Sequence, residues 1–449
     1  MSLKWSCVWN EEGRYYDMTK GVKVPVRLFL NEKLFHESEE QLFQQIVAAT
    51  EFPGVKDVVI TPDVHTGYVV PVGCVMATDG TLCQAPVGFD IGCGMLAFRS
   101  SVPKSKGMDM KLRQKFSEQV MKDVGMGTGV GSGRSFNRNK FEQIVREGAG
   151  ALGFHRENSE RDFIPVSDKF DLPKTPVDRG IGQLGSLGGG NHFIELQHDQ
   201  NDHLWVMVHT GSRGFGHGLA THYIQEGKAY LKSKGVDVRG GAEAVYFEPD
   251  SPLYEGYKNA VAAGANFAIA NRLLIWESVG KVFEKVFGQE PELIYEISHN
   301  LAQEEDVPSL GKTWVHRKGA TRAFPAGHPM LAGTKWEKTG HPILIPGSMG
   351  DNSFILYAEP GAEKSLFSVN HGCGRRLSRG AAKKSMTQKQ VNEQMKRLNV
   401  MVNAGGNVPI DESPDCYKPA KDVIDSVVKA GLARVAYTLT PIARLKGVD

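Results

Sequence analysis

The chain has 449 residues, 41% of them hydrophobic and 23% charged, with a formal net charge of +2. That composition describes a soluble globular protein with ample material for a large core. No apolar run approaches the roughly 18 residues that a membrane span needs, and the opening MSLKWSCVWNEEGRYYD lacks the basic and apolar regions of a signal peptide, so a cytoplasmic location without membrane contact is expected. Six dispersed cysteines, Cys7, Cys74, Cys83, Cys93, Cys373 and Cys416, show no framework spacing and are read as reduced thiols, buried or metal-bound.

Along the chain, Ser38 to Gln41 reads as a capping box opening a helix with Leu42, Phe43, Ile46 and Val47 on its apolar face. Lys56 to Ile60 is the first clear strand, followed by Leu204 to Val208. Ser251-Pro252 predicts the start of a long helix that stops near Gly288. Strands are then expected at Leu293 to Ile297, Phe354 to Tyr357, Leu366 to Val369 and Arg434 to Tyr437, with a second capping box at Thr387 to Gln390 before the amphipathic stretch Val391 to Leu398. Helices and strands do not alternate regularly, so the fold is read as α+β with mixed sheets. From His371 to Val400 there are eight Lys or Arg residues and one acid, Glu393; this is a solvated helical face or a patch for a polyanion.

The chemistry-bearing residues fall near strand ends and among glycines. Asp90 and Cys93 sit in GFDIGCGM, His192 in GSLGGGNHFIEL, His209 in VHTGSRGFGH and His299 in ISHN. One carboxylate, one thiolate and three imidazoles, with the thiolate able to bridge, would serve two metal ions. The O, N and S mixture suits Mn, Co or Zn better than Mg or Ca. Taken one at a time, each residue is as readily a turn aspartate, a small buried cysteine or a satisfied histidine.

Those blocks, together with PDVHTGYVVPVG, VHRKGATRAFPAG, IPGSMG with Ser353, HGCGRRLSR, DESPDCYK and PIARLKG, resemble in order the signature blocks of the RtcB RNA ligases, from about Pro62 to Gly447. The resemblance implies that family's own α+β fold in a single domain spanning 1–449. No KxDG motif supports a classical lysine-adduct ligase. It implies two Mn²⁺ ions held by Asp90, Cys93, His192, His209 and His299, and a catalytic histidine, His371, that becomes guanylylated. It implies a GTP pocket from Asn191, His192, Phe193, Ile194 and Glu195, from His299 and Asn300, from Pro346, Gly347, Ser348 and Met349, from Ser353, from His371, Gly372, Cys373 and Gly374, and from Lys446. Glu195 is assigned to guanine's N1–H and N2 edge, because a carboxylate offers only acceptors; pairing with a nearby Arg or Lys is the alternative. The implied substrate is RNA with a 3′-phosphate or 2′,3′-cyclic phosphate end and a 5′-hydroxyl end, in tRNA splicing or RNA repair. A monomer, with an activating protein as a further partner, is expected.

His371 should attack through a neutral ring nitrogen while an acceptor holds the other. Asp63 and His65 are assigned to assisting a later step. Arg213, Arg375, Arg379 and the His316-Arg317-Lys318 run are candidates for RNA phosphates or for structural ion pairs. Cys373, where a small residue such as Ala is expected, and Asn370, in place of Pro, mark a divergent member. Two other readings are a metal-dependent RNA end-processing phosphodiesterase and a non-ligating RNA-binding paralogue.

Overall fold

The structure, a computed structural model, describes residues 2–154, 162–238 and 244–447. Two sheets dominate it. The first has seven strands in the order Cys7–Asn10, Tyr15–Met18, Val26–Leu28, Val55–His65, Val72–Thr78, Gly311–Lys318 and Asn300–Val307. The second runs Glu292–Ser298, Gly94–Pro103, His203–Thr210, Phe193–His198, Ala433–Leu445, Ser353–Ala358 and Pro342–Ile345, with Met401–Val402 added in parallel beside Ala433–Leu445.

Side-chain alternation shows how the layers stack. In Gly94–Pro103, Met95 and Ala97 join a core shared with Val59, Val75 and Val315 of the first sheet. Leu96 and Phe98 face the other way, into a core built with helices. Val58, Ile60 and Met76 likewise turn outward from the first sheet onto Leu42, Phe43 and Ile46. Period-2 alternation with both faces covered therefore makes a two-sheet sandwich clad in helices, the expected α+β architecture with mixed sheets.

The helix Tyr254–Phe287 is apolar nearly all round and buried along most of its length, as a core helix must be. It stops at Gly288, which takes the left-handed conformation (φ +85°) and donates its N–H to Glu284 O at 2.7 Å. Its start differs from expectation: Ser251 shapes a turn, and the N-cap is Leu253. Among the described residues no helix is long and apolar enough to cross a membrane.

Two other local expectations are corrected. Ser38 does not cap the helix Glu40–Ala49; its hydroxyl donates to Leu34 O and closes the short preceding helix Glu32–Glu37, which Asn31 caps. Leu366 and Phe367 are not strand: both take positive φ after the turn Pro360–Ser365, and the strand is Ser368–Asn370. The Thr387 capping box forms as expected, with Gln390 answering it.

Candidate active site

Strand register gathers the predicted metal ligands. Gly94 pairs with both Thr210 and Ser298, and His209 pairs with both Met95 and Phe193. Cys93, His192, His209 and His299 therefore project from the same end of four adjacent strands. Asp90 joins them from the loop before Cys93, where Ser212 donates to its Oδ1 through N–H (2.8 Å) and hydroxyl (3.1 Å). Gly211 lies so near that a Cβ there would sit 2.4 Å from the Asp90 carboxylate oxygens, so no side chain fits.

The donor atoms form a chain. Asp90 Oδ2 lies 3.1 Å from His192 Nε2, which is 3.5 Å from Cys93 Sγ; that sulfur is 3.3 Å from His209 Nε2, itself 3.3 Å from His299 Nε2. The ligand atoms of Cys93, His192 and His209 all lie within 4.8 Å of one another, a buried group that could bind a metal ion. The rings are already oriented for it. His192 Nδ1 lies 3.0 Å from Leu187 O and His209 Nδ1 3.2 Å from Asn191 O, which turns both Nε2 atoms toward the sulfur. Two imidazole nitrogens facing each other across 3.3 Å share at most one proton, and a cation between such donors resolves their mutual repulsion. Burial, then the Asp90 charge, pushes the Cys93 thiol far up; burial likewise holds His209 and His299 well below the usual imidazole range, so the histidines are neutral and ready to ligate. Burial would raise the Asp90 carboxyl, but contacts with His192, the Ser212 N–H and Cys93 together hold it below the usual carboxylate range.

A residue that sequence reasoning missed ties this set together. Arg272, fully buried on the long helix, donates to Gly92 O (2.7 Å), Thr210 O (3.3 Å) and the Ser298 hydroxyl (2.9 Å), each one residue from a candidate ligand. Its Nε pairs with Glu296 at 2.7 Å. Next to it, Asn271 accepts from Gly185 N and Ser186 N and donates to Gly211 O. A charged residue within the apolar run AIANRLLIW was the available signal. Burial pushes the Glu296 carboxyl up to about 7 against the opposing Arg272 charge. Arg272→Met strands that carboxyl and is expected to cost about 3–5 kcal/mol, read as a lowered denaturant midpoint; an unchanged midpoint would show that the pair contributes nothing net.

His371 follows the strand Ser368–Asn370 and packs beside His299, ring centroids 4.6 Å apart. Its Nδ1 is 2.6 Å from Asp63 Oδ2, at ion-pair distance though not aligned as a hydrogen bond. The same oxygen accepts the N–H groups of His371 (3.1 Å) and Gly372 (3.2 Å), while Thr61 donates to Oδ1 at 2.6 Å. Burial would raise Asp63, but contact with His371 holds it below the usual carboxylate range. Asp63 is thus the carboxylate that faces the Nδ1 side of His371, a partner that the sequence left unnamed. Gly374, at φ +75°, allows the approach: a Cβ there would lie 1.9 Å from Asp63 O. Lys418 donates to Pro62 O and Val64 O on either side of Asp63, and burial brings its pKa down to about 8.

A cavity of about 440 Å³ opens onto these groups. Asp90, Cys93, His209, His299, Asn300 and His371 line it, with Asn191, Phe193, Pro346 to Met349 and Gly372 to Gly374. His192, Ile194, Glu195, Ser353 and Lys446 are buried behind that lining. Of the basic candidates, Lys318, Arg375 and Arg379 line the cavity, Lys318 donating to Tyr68 O and Val70 O, Arg375 pairing with Glu412 at 3.1 Å and Arg379 with Asp411 and Glu412 at 3.5 Å. His316 and Arg317 are structural: His316 accepts from Cys83 N, and Arg317 grips Glu305 at 2.5 and 2.9 Å. Arg213 reaches Gly127 O and the Ser186 hydroxyl.

The family model described as tRNA-splicing ligase RtcB matches residues 45–447. The tRNA-splicing ligase RtcB of Nanoarchaeum equitans is 32% identical, over 95% of this chain and 96% of the relative. That of Thermococcus kodakarensis gives 32% over the same shares. The RNA-splicing ligase RtcB of Mycobacterium tuberculosis is 33% identical over 90% of this chain and all of its own length. Matched across nearly its whole length and folded so that the signature blocks converge on one cavity, the chain belongs to the RtcB family.

Proposed function

We propose that the protein is an RNA ligase that joins an RNA 3′-phosphate or 2′,3′-cyclic phosphate end to a 5′-hydroxyl end, using GTP and two Mn²⁺ ions, in tRNA splicing or RNA repair. Membership of a family whose relatives bear the name ligase supports RNA as the substrate. The observation that carries the chemistry is His371, oriented by Asp63, standing beside a metal-ligand set in a single cavity.

Asp90, Cys93, His192, His209 and His299, whose donor atoms lie in contact one after another, would hold the two ions. Bound there, such ions would polarise phosphate oxygens and neutralise charge on departing pyrophosphate. The protein's own groups do the rest. Asp63 holds the Nδ1 side of His371, leaving Nε2 to attack the α-phosphorus of GTP. A P–N bond forms, the P–O bond to pyrophosphate breaks, and the positive charge that develops on the ring faces the Asp63 carboxylate. Water opens a cyclic phosphate end where one is present. An oxygen of the RNA 3′-phosphate then takes GMP from His371, breaking the P–N bond. The 5′-hydroxyl attacks the activated 3′-phosphorus, forms the new phosphodiester and expels GMP. Arg379, about half exposed on the cavity wall, supplies a cationic donor for an RNA phosphate.

The test is label transfer. Protein incubated with Mn²⁺ and α-labelled GTP should retain acid-labile, alkali-stable label after denaturation, with far less from ATP. Absence of label from either nucleotide, in folded metal-loaded protein, would sink the ligase reading.

A further inference from the structure

A second open space adjoins the cavity and has no part in the chemistry above. This groove holds about 1210 Å³ and shares His65, Tyr68, Arg375 and Arg379 with the cavity wall, so the two are continuous. A small-molecule pocket has roughly 300–1,000 Å³; an open groove above that range suits a length of polymer. Separate parts of the chain give its lining opposite charges. Glu37 and Glu39, both exposed, come from the junction of the helices Glu32–Glu37 and Glu40–Ala49. Arg376 and Arg379, also exposed, come from the segment that follows His371.

Tyr68 stands where cavity and groove meet. It is 67% exposed, yet its backbone is held on both sides. Gln45 donates to Gly67 O at 2.7 Å and accepts from Gly67 N at 2.9 Å. Lys318 donates to Tyr68 O at 3.0 Å and to Val70 O at 3.1 Å. Between them Val69 takes φ +56°, a conformation that a β-branched residue rarely adopts. A costly turn, pinned from two elements, therefore holds a large ring out in water. The ring meets Phe89 at 87° with centroids 6.4 Å apart, so it does little for the core. A fixed aromatic face beside guanidinium groups is what one strand of nucleic acid requires: bases stack on the ring, and phosphates meet the arginines. The carboxylates of Glu37 and Glu39 repel the phosphates of any second strand.

We propose that this groove takes a single-stranded RNA segment running out of the cavity from one of the ends to be joined, with Tyr68 stacking on a base and Arg376 contacting the backbone. This rests on the RNA-joining reading above. The enzyme then selects ends that are unpaired next to the junction, without reading their sequence, because every base offers a face to stack.

Binding of labelled RNAs to the full chain tests it. Two single strands of about 12 nucleotides are used, within the range of single-strand sites: one ends in a 3′-phosphate with its 5′ end blocked by phosphate, the other begins with a 5′-hydroxyl. Tyr68→Ala should weaken one of them by roughly tenfold or more, which also tells which end's strand the groove holds, and Tyr68→Phe, keeping the ring, should stay within about twofold. Arg376→Ser should flatten the plot of log affinity against log salt by about 0.7, the share of one single-strand phosphate. The same RNA paired to its end with a complement should bind the unmodified protein more weakly and be indifferent to Tyr68→Ala. Affinities within about twofold for both RNAs in Tyr68→Ala, with unchanged circular dichroism, would overturn the proposal, and so would a duplex that loses as much as the single strand. Guanylyl label from GTP, read on the same preparations, keeps the two readings apart. Protein that labels but whose RNA binding ignores Tyr68 defeats this proposal alone. RNA affinity lost in Tyr68→Ala, in a protein that never labels, defeats the ligase reading and upholds the groove.

Discussion

Guanylyl label should fall to background in His371→Ala while the protein stays folded, and Asp63→Asn should slow labelling on the order of 10²–10⁴-fold. His371 lines the cavity wall with its ring beside His299, so its removal should delete the proposed nucleophile while both sheet cores keep their side chains. The Asp63 case rests on charge. An amide of the same shape still has one oxygen for the His371 and Gly372 N–H groups, which the carboxylate now serves from Oδ2. It carries no negative charge beside Nδ1, so in the proposed reaction the ring would lose the partner that favours attack from Nε2 and that stabilises the cation formed as the P–N bond closes. Unchanged melting temperatures with these losses in rate would place both residues in the reaction. Label at the ordinary level in His371→Ala would move the nucleophile elsewhere, and an unaltered rate in Asp63→Asn would reduce its carboxylate to a loop anchor.

The second large effect is on metal content. Cys93 occupies the middle of the donor chain, with His192 on one side of its sulfur and His209 on the other. Cys93→Ala should therefore strip metal from both halves, whereas His299→Ala, at one end of the chain, should leave the Asp90 and His192 side loaded. Elemental analysis of Mn²⁺-equilibrated, desalted protein reads both outcomes. The substitution removes a single buried sulfur, so the fold should survive it and circular dichroism should match the parent. Full metal content in Cys93→Ala would remove the thiol from the donor set.

Parts of this arrangement were plain in the sequence for a definite reason. Asp90, Cys93, His192, His209 and His299 each stand beside glycines or strand ends, and a glycine whose Cβ would strike a ligand, as at Gly211, leaves a local trace. The long helix announced itself by its apolar run and Gly288. What escaped were relations between distant segments. Strand Gly94–Pro103 pairs with Glu292–Ser298 and His203–Thr210, and no local pattern specifies such partners. Asp63 lies 308 residues from His371, so their contact follows from packing and not from spacing. The Glu195–Arg444 ion pair escaped for the same reason: Glu195 was visible in GNHFIEL, but Arg444 faces it only through the pairing of Phe193–His198 with Ala433–Leu445. Ser38 misled because a hydroxyl that closes one helix resembles, in sequence, one that opens the next.

Arg272 has a thermodynamic consequence for metal uptake. In a zinc finger the ligands are scattered until the ion arrives, so binding and folding are one event. Here a guanidinium anchored in the core already bonds the backbone beside Cys93 and His209 and the serine hydroxyl beside His299, independently of any ion. The loops' conformational entropy is then lost when the chain folds, and the ion meets a cradle already in place. Metal titration should accordingly show a small heat-capacity change and almost no change in far-ultraviolet dichroism. Stripping and reloading metal should thus leave the chain native throughout.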